Sequence, residues 1–299
     1  MLTPLEKACI DGFRRGEAIA DTGGKSPWID FGLRLLLETG AIVRDMRLTV
    51  TADAVRFKDD GSPWTEQERQ VEALAKERLA GFCPEAAFVG EESGGELPDE
   101  GLAVAMDPVD GTWSLINHAE TCTNTLAVFR DGKVFVGMIQ NPITGEVAYA
   151  SEGNGARLIQ LSLFGEPDGA CNLPCERVRA ESVLVNLQPQ RDAADASREL
   201  FTAWRDGAVN MLKLTGGSPS WSLLEAARGN FAYVNLWTTK PSDPFDLAAG
   251  VLLVREAGGD VTSLDGTPID AATHSGPFIA AMDVRTRDTL AGIVRRSPD

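Results

Sequence analysis

Histidine is nearly missing from this 299-residue chain, which carries only His118 and His274. A mechanism that needs a histidine base together with histidine metal ligands is thereby all but excluded. Cysteine offers little more. The five cysteines are odd in number and irregularly spaced; Cys171 and Cys175 lie four apart, but no second pair and no nearby histidine completes a zinc site. Reduced thiols are the expectation. Positive charge is also short, with 28 Lys and Arg against 44 Asp and Glu and a net charge of −16. A surface of that sign repels nucleic-acid backbones and anionic lipid. It repels phosphorylated metabolites too, unless cations neutralise the site, and part of the charge simply serves solubility. No apolar run approaches the roughly 18 to 20 residues of a membrane span. The first residues, Met1-Leu2-Thr3-Pro4-Leu5-Glu6-Lys7, lack the basic and apolar regions of a secretory signal. These absences predict a cytoplasmic protein with neither a nucleic-acid polymer nor a membrane as partner.

What is present reads as an α/β chain. Apolar content of 43% and charged content of 24% are ordinary for a globular protein, and 30 glycines imply many tight turns. Helical periodicity marks 5–20 and 28–47. A short strand over 54–57 leads to a turn, and Thr65 with Glu68 has capping-box spacing ahead of an apolar stripe at Val71, Leu74, Ala75 and Leu79. Strands are expected at 86–89 and 102–106. Further strands at 123–130 and 133–140 flank Asp131-Gly132, a hairpin signal. Residues 165–169 read as a surface loop or boundary. Beyond about 180, strands (183–187, 209–214, 231–236) alternate with helices (192–206, 219–228, 243–257). The expected halves are 1–175, carrying most of the acidic motifs, and 176–299.

The densest chemistry lies in Asp107-Pro108-Val109-Asp110-Gly111-Thr112, delivered by the apolar run Leu102–Met106. Glu91 and Glu92 end the preceding strand, Asp246 sits in the first turn of a helix opened by Asp243-Pro244, and Glu68 lies one turn into its own helix. Carboxylates at several element ends can converge on one point, which suits an oxygen-seeking cation such as Mg2+. Two such ions about 4 Å apart stabilise the attacking and leaving oxygens at phosphorus, and Asp107 is the candidate bridge. Pro108 fixes the chain so that the Val109 carbonyl and the Asp110 carboxylate can point the same way. Gly111 allows close approach of backbone to a phosphate, and the Gly111 and Thr112 amides offer donors if a helical turn begins there. Each piece has a plainer reading. Asp110-Gly111 alone is a turn, Glu91-Glu92 a solvated edge, Asp246 a helix-dipole partner and Glu68 a capping residue.

Taken together, Gly90-Glu91-Glu92-Ser93, Asp107–Thr112, Asp246-Leu247-Ala248-Ala249-Gly250 and Glu256-Ala257-Gly258-Gly259 resemble the inositol monophosphatase-like superfamily of magnesium-dependent, often lithium-sensitive phosphatases. Lys58–Glu68 resembles its N-terminal segment, so the likeness runs from about 58 to 260. The resemblance implies a layered αβαβα sandwich and hydrolysis of a small phosphorylated metabolite, such as an inositol monophosphate or a sugar or polyol phosphate. Glu91, Asp107 and the Val109 carbonyl would hold a first magnesium and Asp107, Asp110 and Asp246 a second. A weaker third would lean on Glu91. Thr112 with Glu91 would orient and help deprotonate the attacking water, and no covalent phospho-enzyme is implied. A homodimer is also implied.

Departures from the pattern bear on the substrate. Glu68 stands at a catalytic position where aspartate is usual, its extra methylene shifting the carboxylate by about 1 Å and altering water activation or the third metal, and Phe245 stands where tryptophan is common. Trp113 follows the Asp-Gly-Thr motif and either packs in the core or lines the pocket. Gly217-Ser218-Pro219-Ser220 resembles the segment that receives substrate hydroxyls and phosphate; otherwise Ser218 is a helix cap. The acidic hydroxyl ligand common in the loop before Asp246 is missing, with Asn235 the nearest candidate. Lys240 either reads a second phosphate or carboxylate or is a surface lysine. A bisphosphate phosphatase, for a nucleotide 3′,5′-bisphosphate or fructose 1,6-bisphosphate, is one alternative, and a non-catalytic metal-binding relative is another.

Overall fold

Strand alternation, read against which residues are buried together, assigns the layers. The computed structural model describes residues 1–16, 27–59, 61–161, 167–175 (backbone only at 167 and 168), 182–186, 193–215, 217–236 and 243–295. Helices α1 (Pro4–Arg14), α2 (Pro27–Thr49) and α3 (Glu66–Phe82) precede the main sheet, with the two-residue strands β1 (Arg56–Phe57) and β2 (Pro63–Trp64) paired between α2 and α3. A seven-stranded sheet follows in chain order: β3 (Ala87–Gly90), β4 (Leu102–Asp110), β5 (Thr123–Arg130), β6 (Lys133–Asn141), β7 (Glu146–Ser151), β8 (Ala156–Leu161) and β9 (Pro167–Asn172). Only β3 and β4 run parallel; the rest is a meander. A short helix, α4 (Thr112–Ile116), leaves β4.

The second sheet has the order β11-β10-β12-β14-β13, from β10 (Ser182–Asn186), β11 (Met211–Leu214), β12 (Ala232–Asn235), β13 (Asp260–Ser263) and β14 (Phe278–Ala281). β10, β11 and β12 are parallel; β14 runs antiparallel to its neighbours. Its helices are α5 (Ala194–Arg205), α6 (Pro219–Ala227), α7 (Pro244–Glu256) and α8 (Val284–Val294).

Along β4, Val104 and Met106 pack under α2 and α3, while Ala103 and Ala105 face α6 and α7. Along β12, Tyr233 faces that same helix layer, and Ala232 and Val234 face α5 and α8. The order is therefore helices, large sheet, α6 and α7, small sheet, helices: the five-layer αβαβα sandwich. α7 is buried nearly all round because a sheet lies on each side of it. Small residues permit this. A Cβ on Gly137 of β6 would come within 2.8 Å of Ala249, and one on Gly250 within 2.5 Å of Leu223 of α6.

Most expected elements appear within a few residues. Asp131 and Gly132 take φ of 50° and 72° between β5 and β6, the two left-handed residues of a type I′ hairpin. Three expectations change. The strand expected over 54–57 shrinks to β1 behind a 3-10 turn, Ala52–Ala54. Residues 167–169, read as part of a surface loop or boundary, join 170–172 in edge strand β9 by pairing with β8; Pro-Asp-Gly-Ala-Cys-Asn has no apolar alternation to announce it. β14 and α8 carried no sequence assignment; four residues are too short a run to show a period. No described helix is long and apolar enough to cross a membrane.

Candidate active site

The carboxylates meet because β4 breaks its own regularity. Residues three apart on a strand face opposite sides of the sheet. Between Asp107 and Asp110 the β4–β5 register shifts, beyond the last β3–β4 pair at Gly90 and Met106, and Pro108 sits in that irregular stretch. Asp110 is thereby turned toward Asp107. Asp246, in the first turn of α7, arrives from the other side. One carboxylate oxygen from each of Asp107, Asp110 and Asp246 lies within 4.8 Å of the others.

Backbone and hydroxyl groups hold each member. The Val109 N–H donates to Asp107 Oδ1 at 2.7 Å. Thr125 of β5 accepts from the Asp107 N–H at 3.2 Å and donates to the Phe245 carbonyl at 2.7 Å, so one hydroxyl ties β4 to α7 beside Asp246. Asp110 Oδ2 accepts from the Ser218 hydroxyl at 2.9 Å, the Ser220 N–H at 2.7 Å and the Ser220 hydroxyl. These donors open α6, where Ser218 is also the N-cap and accepts from the Trp221 N–H at 3.1 Å. Both readings of Ser218 as a cap and as a site residue thus meet in one hydroxyl, but its partner is Asp110. Gly217, just before it, has φ of 90°.

Gly111 is the N-cap of α4 at φ 91°, and a Cβ there would approach the Thr121 carbonyl to 2.9 Å and Ser218 Cβ to 3.0 Å. The turn needs glycine for conformation and for space. Thr112 begins α4 with its hydroxyl 2.9 Å from Glu68 Oε1 and 3.1 Å from the Val109 carbonyl. Its carboxylate partner is therefore Glu68. Glu68 also accepts from the Thr65 hydroxyl at 2.7 Å, and its reach back to the Thr65 N–H completes the cap of α3. The longer side chain lets one carboxylate cap a helix with one oxygen and hold Thr112 with the other.

Glu91 stands outside the aspartate cluster. Lys58 Nζ lies 2.7 Å from both Glu91 Oε1 and Glu92 Oε1. Behind them Glu72, fully buried, accepts from the Glu92 and Ser93 N–H groups at 2.8 and 2.9 Å. A Cβ on Gly90 would overlap the Glu72 carboxylate. Lys58, Glu72 and Thr125 were not singled out from sequence. Glu72, one turn beyond Glu68, was the readable signal; nothing local marks Thr125, whose partners are 18 and 120 residues away.

Charge is concentrated here at a cost. Burial, with Glu91, Asp246 and Asp110 nearby, pushes Asp107 well above the carboxylate range. Burial pushes Asp110 up to about 7 against the pull of the Ser220 and Ser218 donors. Glu68 is pushed up to about 7, again chiefly by burial, with Thr65 and Thr112 opposing and the charges of Glu91 and Glu92 adding. An all-oxygen, buried, mutually repelling set is one that a hard divalent cation would relieve.

Toward the second sheet, Asn186 and Asn235 end β10 and β12 as register neighbours, both buried, with side-chain N and O atoms that lack hydrogen-bond partners among the described residues. Trp113 is 50% exposed and Phe57 60% exposed, their rings 6.0 Å apart. Trp113 is thus no core residue. Lys240 and the rest of 237–242 lie outside the described residues.

Residues 25–298 match the inositol monophosphatase family. Among curated proteins, the chain is 27% identical over 231 residues to a histidinol-phosphatase of Mycobacterium tuberculosis, covering 75% of this chain and 81% of that protein. It is 27% identical over 252 residues to an inositol-1-monophosphatase of Synechocystis, covering 82% of each. It is also 27% identical over 290 residues to the Nus factor SuhB of Escherichia coli K12, covering 90% of this chain and 99% of that protein. Among solved structures, Thermotoga maritima IMPase TM1415 superimposes with a TM-score of 0.73 at 22% identity over 91% of this chain and all of that one. An IMPase/NADP phosphatase complexed with Mg2+ and phosphate does so with a TM-score of 0.68 at 23% identity, over 86% and 91%.

Proposed function

Because the chain belongs to the inositol monophosphatase family, we propose that it is a magnesium-dependent phosphomonoesterase. Its substrate on this reading is a small phosphorylated metabolite, an inositol monophosphate or a related sugar or polyol phosphate. The observation that carries the reading is the convergence of Asp107 and Asp110, from β4, with Asp246, from α7, on one largely buried point. Asp107, Asp110 and Asp246, with the Val109 carbonyl and Glu91, would hold two or three Mg2+ ions; the relative solved with Mg2+ and phosphate supports that choice of ion. When bound, magnesium neutralises phosphoryl oxygens and makes water acidic enough to attack phosphorus.

The chain's own residues supply position and a proton path. Thr112 Oγ1 sits between Glu68 and the Val109 carbonyl with lone pairs left for the attacking water. The water's proton passes to Thr112 Oγ1 as the threonine proton passes to Glu68 Oε1, 2.9 Å away. Ser218 and Ser220 occupy Asp110 Oδ2 and leave its other oxygen to the cluster. Lys58 restrains Glu91 at the rim. Gly111 brings backbone close to the phosphate, and the first amides of α4 face it. Asn235 and Asn186 offer donors and acceptors to substrate hydroxyls without the charge of an acid. The Phe57–Trp113 pair forms an exposed aromatic rim one residue from Lys58 and Thr112.

A second reading is a non-catalytic role, motivated by the likeness to the Nus factor SuhB. The intact aspartate set and the Thr112–Glu68 pair favour turnover. Phosphate release from a panel of metabolites, with Mg2+, EDTA and lithium arms and with Asp110→Asn, tests this. No magnesium-dependent release above the variant on any substrate would sink the phosphatase reading. Family membership also supports a cytoplasmic homodimer, for which sedimentation is the test.

A further inference from the structure

The large sheet carries a second cleft on the face turned away from the carboxylates. Phe13 and Arg14 of α1, Leu37 and Arg44 of α2, Gln140 of β6 and Leu161 of β8 line it. Its volume is about 70 Å³, which at roughly 10–15 Å³ per water is room for a small molecule of several heavy atoms. Strand parity separates it from the active site. Gln140 shares its side of β6 with Val136 and Met138, which pack with α2, whereas Ile139 faces α7. Asp107 follows Ala103 and Ala105 on the α7 side.

Two features of the lining call for a ligand. The first is charge. In a chain of net charge −16, this cleft presents two guanidinium groups and, among the described residues, no carboxylate. Arg44 makes no ion pair or hydrogen bond among the described residues, whereas Arg14 is paired with Asp11 at 3.8 Å and has a further interaction. Arginine forks match carboxylate and phosphate oxygens. The second is an unmet polar group. Gln140 is 5% exposed and its Oε1 has no partner among the described residues. Its amide rests on Gly40 of α2, where any Cβ would overlap it. Glycine at 40 thus makes room for a buried amide whose Oε1 is left unsatisfied among the described residues, an arrangement that native interiors avoid.

The geometry points to a binding site for a small organic anion between α1, α2 and β6. Its phosphate or carboxylate head meets Arg44 and Arg14, a donor beside the head meets Gln140 Oε1, and a compact apolar body lies on Phe13, Leu37 and Leu161. The site is independent of phosphatase activity, and its test needs no turnover.

Phenylphosphonate, which a phosphatase cannot hydrolyse, and inorganic phosphate are titrated by calorimetry into the full chain in EDTA, where the uncompensated aspartates repel anions. Saturable binding is expected, tighter for phenylphosphonate than for phosphate. Arg44→Gln weakens it about tenfold, and Asp110→Asn leaves it in place. Ala41 also lines the cleft; Ala41→Leu, which fills it without touching its charges, abolishes binding, and serves if Arg44→Gln fails to fold by circular dichroism. Absence of saturable binding to the wild-type chain overturns the proposal. So does binding that survives Ala41→Leu, or that Asp110→Asn removes.

Discussion

Replacing Asp107 by asparagine should stabilise the metal-free protein while ending its activity. Asp107, Asp110 and Asp246 bring oxygens within 4.8 Å of one another in a buried site. At an effective dielectric constant of about 20, two full charges at that separation repel by about 3 kcal/mol. Asp107 belongs to two such pairs. Proton uptake already sheds part of the repulsion, because burial holds Asp107 well above the carboxylate range and Asp110 at about 7. A net relief of about 3 kcal/mol is therefore expected above pH 7, or about 6 °C in melting temperature for a chain of this size. The asparagine carbonyl can still accept from the Val109 N–H, so local geometry is kept. The pH dependence has a definite sign. A raised folded-state pKa means that the native state holds more protons than the unfolded chain between about pH 4 and 7. Wild-type stability then falls as pH rises through that window, and the advantage of the variant grows from small at pH 5 to full at pH 8. Differential scanning fluorimetry in EDTA across this range measures it. With Mg2+ added the order reverses, since the wild type gains binding free energy and the variant gains much less. A variant that melts below wild type in EDTA at pH 8 would refute the claim that the triad is held together against its own repulsion.

Three further outcomes follow from the same geometry. Thr112→Ala and Glu68→Gln should each lower kcat about 10²- to 10⁴-fold with little change in KM, and the double variant should be no worse than the poorer single one; additive losses in steady-state assays would separate the two residues. Gly111→Ala should cost about 1–2 kcal/mol from its left-handed φ alone, more from the approach to the Thr121 carbonyl, and should reduce activity by tilting Thr112, as chemical denaturation and turnover together would show. Ser220→Ala removes a donor from ionised Asp110 and should move the acid limb of the pH–rate profile upward by about one unit, with magnesium dependence weakened; an unmoved limb would mean that Asp110 is not held by α6.

Legibility differed between fold and site for physical reasons. Long periodic elements such as α2, α3 and α7 were readable because burial of one stripe or of a whole helix writes itself into consecutive residues. The Asp131-Gly132 hairpin was readable because left-handed φ selects its residues locally. β9 and β14 were not, since an edge strand or a four-residue core strand exists by virtue of its neighbours. In the site, the carboxylates could be named from motif and spacing, and Glu72 carried a helical-spacing signal, but Thr125 and Lys58 could not be named, because each acts through partners remote in sequence.

The chain by itself determined the inventory: many clustered carboxylates, almost no histidine, a glycine and a threonine after the second aspartate, and a proline that forbids a regular strand there. Those are properties of residue type and adjacent order. Only the tertiary structure decided which side chain each group serves. It gave Thr112 to Glu68, with Glu91 held by Lys58 instead, and it gave Ser218 to Asp110. A hydrogen bond forms between whichever groups the packing of layers brings within about 3 Å, and that distance depends on the bulge in β4 and the placement of α6, not on any spacing along the chain.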